Sequence, residues 1–197
     1  SEIPGVDIVL GAADKFNLPK YIDDYYSKQE KVFFESNIND INHFIPSYSL
    51  DERTRSFVKV QDGCNYSCSF CTIPLARGKS RSGTISDLLK IINNIAKSDI
   101  KEIVLSGINV GDFGVNNGES LIQLLESIEL IDSIERCRIS SIEPNLLSDE
   151  IINFIANSKK ILPHLHIPLQ SGSNNILRLM KRRYDIELYA SKIKKIK

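Results

Sequence analysis

Three cysteines lie close together in one short polar stretch of the chain. Cys64, Cys68 and Cys71 have the spacing C-x3-C-x2-C, and Phe70 stands just before the third cysteine. Three thiolates on one tight loop can hold three irons of a cubane iron–sulfur cluster, and the fourth iron is then left without a protein ligand. An open iron is what the chelation of a small molecule requires. The spacing therefore predicts a cluster that binds a small molecule, rather than one that only transfers electrons.

A structural zinc site is the competing interpretation. Closed zinc sites use four ligands, commonly from two paired knuckles. The remaining cysteine, Cys137, is expected in a strand, at the end opposite the cysteines, and His43 falls in a linker. We therefore favour the cluster and interpret Cys137 as a small core residue. A non-catalytic iron–sulfur or zinc-binding module stays open as an alternative.

The cysteines must be positioned by the elements around them, and from residue 57 onward strands and helices alternate. Short apolar runs predict strands, and amphipathic stretches between them predict helices. The predicted strands cover residues 57–60, 102–105, 138–142 and 164–169. The predicted helices begin at Ser86, Ser120, Ser148 and Asn174, the last running to Arg183. Four βα units in succession imply an α/β fold with a parallel sheet and right-handed crossovers.

Polar residues cluster at the carboxyl ends of these four predicted strands. Chemistry in parallel α/β folds gathers at those ends. The clusters are residues 64–71, 106–109, 140–143 and 170–172. We expect these four clusters to lie close together at the carboxyl edge of the sheet, which is called the mouth below.

The amino-terminal part is organised differently. Residues 6–10 predict a buried strand and residues 18–26 predict a helix. Residues 29–52 have no convincing period and are interpreted as a linker with room for an irregular strand. We expect residues 1–28 to end an α/β N-terminal domain and residues 53–197 to form the core domain.

Composition excludes some classes of protein. The chain has 197 residues, 42% hydrophobic and 25% charged, which suits a globular protein with a real core. Lys+Arg and Asp+Glu both total 25, so the net charge points to no partner. No apolar stretch is long enough for a membrane span, and clustered cysteines suit a reducing cytoplasm. The missing initiator Met leads us to expect a piece of a longer protein.

The cysteine spacing with its aromatic residue resembles the signature of the radical S-adenosylmethionine superfamily. Other stretches are similar to one branch of it, the methylthiotransferases: residues 61–64, 73–82, 138–144, 166–173 and 177–184. This resemblance covers nearly the whole chain. It implies a partial (β/α) radical-SAM barrel, truncated after about four βα units and preceded by the end of the N-terminal domain.

The resemblance also implies the cofactor chemistry. S-adenosylmethionine would chelate the open iron of a [4Fe–4S] cluster held by Cys64, Cys68 and Cys71, and one electron would release a 5′-deoxyadenosyl radical. Phe70 is expected to pack beside the adenine. Gly107 is expected near the methionine amino group.

The other residues expected at the mouth have similarly implied roles. Asn109 would contact the methionine amino group, although a tight turn explains Gly107 and Asn109 equally well. Ser141 and Glu143 would contact the ribose or face the substrate. The candidates for the cofactor carboxylate or an RNA phosphate are Arg77 and Arg81, with surface salt bridges as the plain alternative. The candidates for substrate contact are His166 and Gln170.

Residues 74–78 and 105–114 favour one group within the branch. That group adds a methylthio group to carbon 2 of threonylcarbamoyl-adenosine beside the anticodon in tRNA. Sister groups that modify isopentenyl-adenosine in tRNA, or an aspartate of a ribosomal protein, stay open. The family also implies an electron-donor protein and a second [4Fe–4S] cluster, whose cysteines are not in this chain. We therefore expect this chain alone to cleave S-adenosylmethionine without modifying RNA.

Overall fold

The elements of the chain fall into an amino-terminal pair of strands and a larger α/β core. The computed structural model describes residues 3–28, 30–34, 37–38, 41, 43–50 and 54–197. The strands are β1 Ile8–Leu10, β2 Val32–Phe34, β3 Ser47–Tyr48, β4 Arg55–Lys59, β5 Gln61–Asp62, β6 Arg81–Ser82, β7 Glu102–Ser106 and β8 Arg136–Ile139. The α-helices are α1 Leu18–Lys28, α2 Ile73–Arg77, α3 Ile85–Ile95, α4 Leu121–Glu129, α5 Asp149–Asn157, α6 Asn174–Leu179 and α7 Ile186–Ile196.

A four-stranded sheet in the order β3-β4-β7-β8 forms the centre of the core. Strands β4, β7 and β8 run parallel, with Val58 opposite Leu105 and Ile103 opposite Cys137. Helix α3 lies in the connection from β4 to β7, and α4 lies in the connection from β7 to β8. This arrangement confirms the predicted α/β class and the first three predicted strands.

The core lies between the sheet and its helices. The predicted apolar face of α3 is confirmed, because Leu88, Ile92 and Ile95 recur at helical spacing and are fully buried. Burial of each such side chain is worth about 1.5–3 kcal/mol. Cys137 is also fully buried, and this burial raises the pKa of its thiol. Cys137 is therefore a core residue, as predicted.

Side-chain caps determine where the core helices begin. The predicted caps Ser120 and Ser148 are confirmed, and the Ser148 hydroxyl accepts a hydrogen bond from the Ile151 amide at 3.2 Å. The prediction that α3 begins at Ser86 is wrong. Thr84 is the cap, because its hydroxyl accepts from the Asp87 amide at 3.1 Å.

The predicted fourth strand, residues 164–169, is wrong as a regular strand. This segment follows the edge of β8 through isolated bridges only, which pair Ile161 with Cys137 and His166 with Ser141. Pro163 and Pro168 cannot donate backbone hydrogen bonds, so a continuous ladder cannot form. The segment nevertheless stays beside the sheet, and it carries His166 to the same end.

The predicted helix of residues 174–183 is shorter than expected. Helix α6 ends at Leu179, and Lys181 has a left-handed backbone with φ of 56°. That turn separates α6 from α7. It directs residues 182–184 back toward the cysteines.

The amino-terminal part contains more regular structure than its composition suggested. The predicted strand and helix are confirmed as β1 and α1, and β1 pairs in parallel with β2, with Val9 opposite Phe33. Strand β2 lies within the predicted linker. The predicted domain junctions, at residues 29 and 53, lie outside the described residues. Within the described ranges, no helix has the length and apolar character to cross a membrane.

A carboxylate at the amino end of the sheet is surrounded by arginines. Glu102 is 9% exposed and accepts hydrogen bonds from Arg138 at 2.7 Å and from Arg136 at 3.0 Å. The hydrogen bond from Arg138, despite the opposing effect of burial, holds the pKa of Glu102 below its ordinary 4.5. A lowered pKa means that this carboxylate stabilises the fold above pH 4.5 and that the stabilisation is lost as pH falls through the folded value.

We expect Glu102→Gln to lower the free energy of unfolding by about 1–3 kcal/mol near neutral pH, since charge-assisted hydrogen bonds are lost. The difference from wild type should shrink in acid, below pH 4.5. Urea denaturation across this pH range measures both effects. Glu135→Gln is the matched control, because Glu135 is 57% exposed and makes one ion pair at 3.6 Å. If Glu135→Gln lowered the free energy of unfolding as much as Glu102→Gln, the stabilising role of the Glu102 hydrogen bonds would be contradicted.

Candidate functional site

The cysteine loop, residues 63–71, starts where β4 and β5 end. The Val60 amide donates to Ser106 O at 2.9 Å, which keeps the chain beside β7 up to the loop. Gly63 has φ of 70°, and the Cys64 amide donates to Gly78 O at 3.0 Å. The Cys71 amide donates to Cys68 O at 3.1 Å, forming a tight turn. The loop therefore lies at the carboxyl end of the sheet, as predicted.

The three thiols of this loop are free and differ in exposure. Cys68 is buried, whereas Cys64 and Cys71 are half-buried. Burial raises the pKa of Cys64, and the Cys64 sulfur accepts from the Tyr66 amide at 3.4 Å. Phe70 is 53% exposed beside Cys71, so its ring is available to a ligand.

Gln61 joins the cysteine loop to the end of the next strand. Its amide nitrogen lies 2.8 Å from Gly63 O, and its amide oxygen accepts from the Ile108 and Asn109 amides, both at 2.9 Å. The side chain is fully buried. The sequence placed Gln61 in a similar motif but gave it no role, because partners 47 and 48 residues away leave no local pattern.

We expect Gln61→Leu to lower the free energy of unfolding by about 2–4 kcal/mol, since buried backbone groups on both loops lose their partners. Iron retained after anaerobic reconstitution should fall as well. Urea denaturation and iron analysis measure the two effects. Gln123→Leu, at an exposed glutamine of α4, is the control and should change neither quantity. Equal behaviour of the two variants would refute the role of Gln61.

The turn after β7 brings two predicted residues against the cysteine loop. A Cβ on Gly107 would lie 2.9 Å from the Gln61 amide oxygen, so glycine permits this close approach. Asn109 is 3% exposed, and its amide nitrogen donates to Asp112 at 3.1 Å. Its amide oxygen is buried and has no hydrogen-bond donor within the described part of the chain. An unsatisfied buried acceptor is rare in folded proteins, and a bound water or ligand is one of the explanations for it.

The two predicted arginines converge on Asp62. Arg77 lies 3.1 Å and Arg81 3.3 Å from its carboxylate. Arg81 is 6% exposed and also donates to the carbonyl oxygens of His43, Arg77 and Lys79. Strands β5 and β6 pair antiparallel and form a hairpin, and the guanidinium of Arg81 links Asp62 of β5 to the residues just before β6. The side chain of Arg77 is 40% exposed, so part of its guanidinium stays accessible.

The third strand end carries Ser141 and Glu143. Both are half-buried, and the Glu143 carboxylate forms an ion pair with Arg182. Arg182 also donates to the Cys68 sulfur at 3.0 Å. Arg182 thus contacts a predicted cluster ligand, although no role was predicted for it. Its place in a motif-like stretch was the available signal, but the contact to Cys68 spans 114 residues.

The two predicted substrate residues lie on the proline-interrupted segment. His166 and Gln170 are both exposed, and the His166 carbonyl accepts from the Ile142 amide at 3.1 Å. Gln170 has a left-handed backbone with φ of 64°. The Tyr184 hydroxyl lies 2.7 Å from Pro168 O and so ties this segment to the residues after α6.

The residues present fit a three-thiolate cluster with an attached amino-acid cofactor. The donor set is three free thiols on one loop, and the unsatisfied Asn109 oxygen at the next strand end suits an ammonium group. Among the described residues, no three His, Cys, Asp or Glu side chains are arranged to hold a single metal ion. Cys137 lies buried beside Ile103 in the sheet, so it does not complete a closed site at the loop.

Comparisons with known proteins identify a family and several relatives. The family model described as Radical SAM superfamily matches residues 58–197. The chain is 39% identical over 201 residues to "Threonylcarbamoyladenosine tRNA methylthiotransferase MtaB" of Bacillus subtilis, covering 99% of this chain and 44% of that protein. It is 34% identical over 198 residues to "tRNA-2-methylthio-N(6)-dimethylallyladenosine synthase" of Clostridium tetani, covering 98% and 43% respectively. The chain thus spans less than half the length of these relatives.

A solved structure has a similar fold. It is the radical S-adenosylmethionine methyltransferase TsrM from Kitasatospora setae, with cobalamin and a [4Fe–4S] cluster bound. The TM-score is 0.57 at 14% identity, covering 71% of this chain and 28% of that one.

The resemblance to methylthiotransferases read from the sequence is confirmed by the relatives above. The family model matches residues 58–197, which is well over half of the chain. The chain therefore belongs to the radical S-adenosylmethionine superfamily.

Proposed function

We propose that this chain is the radical-forming core of a methylthiotransferase that acts on threonylcarbamoyl-adenosine beside the anticodon in tRNA. The observation that carries the proposal is the loop of three free thiols at the carboxyl end of the parallel sheet. When bound, a [4Fe–4S] cluster would supply one electron that breaks the sulfonium carbon–sulfur bond of S-adenosylmethionine, giving methionine and a 5′-deoxyadenosyl radical. The reaction is the addition of a methylthio group to carbon 2 of the adenine.

The protein's part in this reaction is to bind and orient. Cys64, Cys68 and Cys71 would hold three irons, and the buried Asn109 oxygen would accept a hydrogen bond from the cofactor amino group. The exposed ring of Phe70 would cover the adenine and exclude water.

The other predicted residues would surround the same cofactor and the substrate. Ser141 and Glu143 would contact the ribose or the incoming nucleoside, and the accessible part of the Arg77 guanidinium would contact a carboxylate or phosphate. Arg81 is already held by four protein acceptors, so a cofactor carboxylate would have to displace one of them. His166 and Gln170 would face the substrate from the exposed segment, in keeping with their exposure.

The names of the relatives support the choice of substrate. The relative in Bacillus subtilis, at 39% identity, is named for threonylcarbamoyl-adenosine, and the relative in Clostridium tetani, at 34%, is named for dimethylallyl-adenosine. The dimethylallyl (isopentenyl) nucleoside is therefore the second candidate. For the longer protein we also propose a second [4Fe–4S] cluster on cysteines outside this chain, an electron-donor protein and tRNA as the partner.

Two assays test the proposal. The chain is reconstituted anaerobically with iron and sulfide, reduced, and assayed for 5′-deoxyadenosine formed from S-adenosylmethionine. Wild-type chain that takes up no iron, or that forms no 5′-deoxyadenosine, would overturn the cofactor assignment. Methylthiolated tRNA made by this chain alone would overturn the expectation that further parts are needed.

The substrate is tested in cells. tRNA from a strain that lacks the gene is digested, and its modified nucleosides are compared with those of the parent strain. Loss of the methylthio group from threonylcarbamoyl-adenosine supports the proposal. Loss from the dimethylallyl nucleoside, or no change in tRNA, would replace it with one of the sister activities.

A further inference from the structure

One guanidinium lies between a predicted cluster ligand and an acidic residue of the mouth. Arg182 donates through Nη1 to the Cys68 sulfur at 3.0 Å and through Nη2 to the Glu143 carboxylate. Its side chain is only 4% exposed. A planar guanidinium can satisfy two acceptors at once in a fixed geometry, which a lysine cannot do.

The segment that carries Arg182 is built to hold it there. The left-handed turn at Lys181 is stabilised by the Arg182 amide, which donates to Leu177 O at 2.9 Å. The Ser69 amide, inside the cysteine loop, donates to Met180 O at 3.3 Å. The backbone is therefore fixed at Arg182 itself and two residues before it, at Met180.

The next residue adds a second attachment to the same loop. Arg183 donates to Asn65 O at 2.7 Å, and its guanidinium lies 4.1 Å from the centre of the Tyr66 ring. Residues 180–184 thus form a clamp on the cysteine loop, in which Tyr184 is buried and the side chain of Arg182 is 4% exposed.

We infer that Arg182 is a positioning residue that holds Cys68 in place and raises the reduction potential of the bound cluster, with Glu143 moderating its charge. This inference rests on the proposed cluster. Reduction adds a negative charge to the cluster, and a buried cation that donates to a ligand sulfur stabilises the reduced form. The Glu143 carboxylate opposes that effect, because it neutralises the same cation.

The inference gives opposite signs for the two partners. Arg182→Gln removes the cation and should shift the midpoint potential to more negative values. Glu143→Gln leaves the cation uncompensated and should shift the potential to more positive values. Arg182→Lys keeps the charge but cannot reach both acceptors, so its potential should lie between those of Arg182→Gln and the wild type. If Arg182 had only a structural role, the two variants would not shift the potential in opposite directions, and Arg182→Lys would not give an intermediate value.

The experiment is an anaerobic redox titration of the reconstituted chain, followed by electron paramagnetic resonance and accompanied by iron analysis. Arg178→Gln is the matched control, since Arg178 is an exposed arginine of α6 that donates to Asn175 and should leave the potential unchanged. If Arg182→Gln retains no cluster, the Glu143→Gln titration, which keeps the arginine, decides the result.

The outcomes separate this inference from the proposed function. A wild-type chain without iron would overturn both. A wild-type cluster whose potential is the same in Arg182→Gln and Glu143→Gln, or shifts in the same direction in both, would overturn only the inference. Opposite shifts, with Arg178→Gln unchanged, support it.

Discussion

Alanine at any one of Cys64, Cys68 or Cys71 is expected to abolish retention of the iron–sulfur cluster. Each thiolate would bind a different iron, so the remaining two cannot hold a complete cubane. Loss of a partner in the outer shell of a metal site costs 10–100-fold in affinity, and loss of a ligand should cost at least about as much. Iron per chain after anaerobic reconstitution and desalting measures the effect, together with 5′-deoxyadenosine formation.

Cys137→Ala is the control for this series. Cys137 is fully buried in the sheet, so this change removes a thiol without touching the loop. We expect a loss of about 1 kcal/mol in the free energy of unfolding, as for a small core truncation, and an unchanged iron content. Iron loss in Cys137→Ala as large as in the loop variants would contradict the assignment of the ligands.

Gly63→Ala is expected to prevent the cysteine loop from closing. Gly63 has φ of 70°, and a Cβ there would lie 2.1 Å from Lys79 O, well inside the contact limit. The backbone of the hairpin must therefore separate or the loop must rearrange. We expect the free energy of unfolding to fall by about 2–4 kcal/mol, from left-handed strain and overpacking together. Iron uptake should be lost along with it.

Gly118→Ala separates the two causes of the expected stability loss, which are left-handed strain and overpacking. Gly118 has nearly the same backbone, with φ of 78°, but a Cβ there would meet nothing within 4 Å. This control carries only the left-handed strain and should cost about 1 kcal/mol, with normal iron uptake. Urea denaturation of both variants gives the difference. If the two lose the same stability and both keep iron, the crowding at Gly63 has no role in the site.

The local features of the fold could be predicted because they depend on short-range patterns. Helix α5 begins after Ser148 because the hydroxyl accepts a nearby amide, and α3 has one buried face because its apolar residues recur at helical spacing. The error at α3 was also local. The Thr84 hydroxyl accepts from the Asp87 amide and donates to the Asp87 carboxylate at 2.9 Å, so the cap lies two residues before Ser86.

The parts that could not be predicted depend on distant partners. Residues 164–169 have the composition of a strand, but a proline can join a ladder only at a position that needs no amide donor, and this depends on the register with the neighbouring strand. Gln61 and Arg182 gain their roles only when separate strand ends meet. The three cysteines could be singled out as candidate ligands from spacing alone, because one short loop carries them all.

The clamp on the cysteine loop has a consequence for the order of events during synthesis. Cys68 leaves the ribosome 114 residues before Arg182, its hydrogen-bond donor. At about 5–20 residues per second, that gap lasts roughly 6–23 seconds. Throughout it the nascent chain carries three thiols whose final anchor has not yet been made. Iron loading during translation would therefore meet a loop that lacks its contact with Arg182, whereas loading after release meets a loop that already has it.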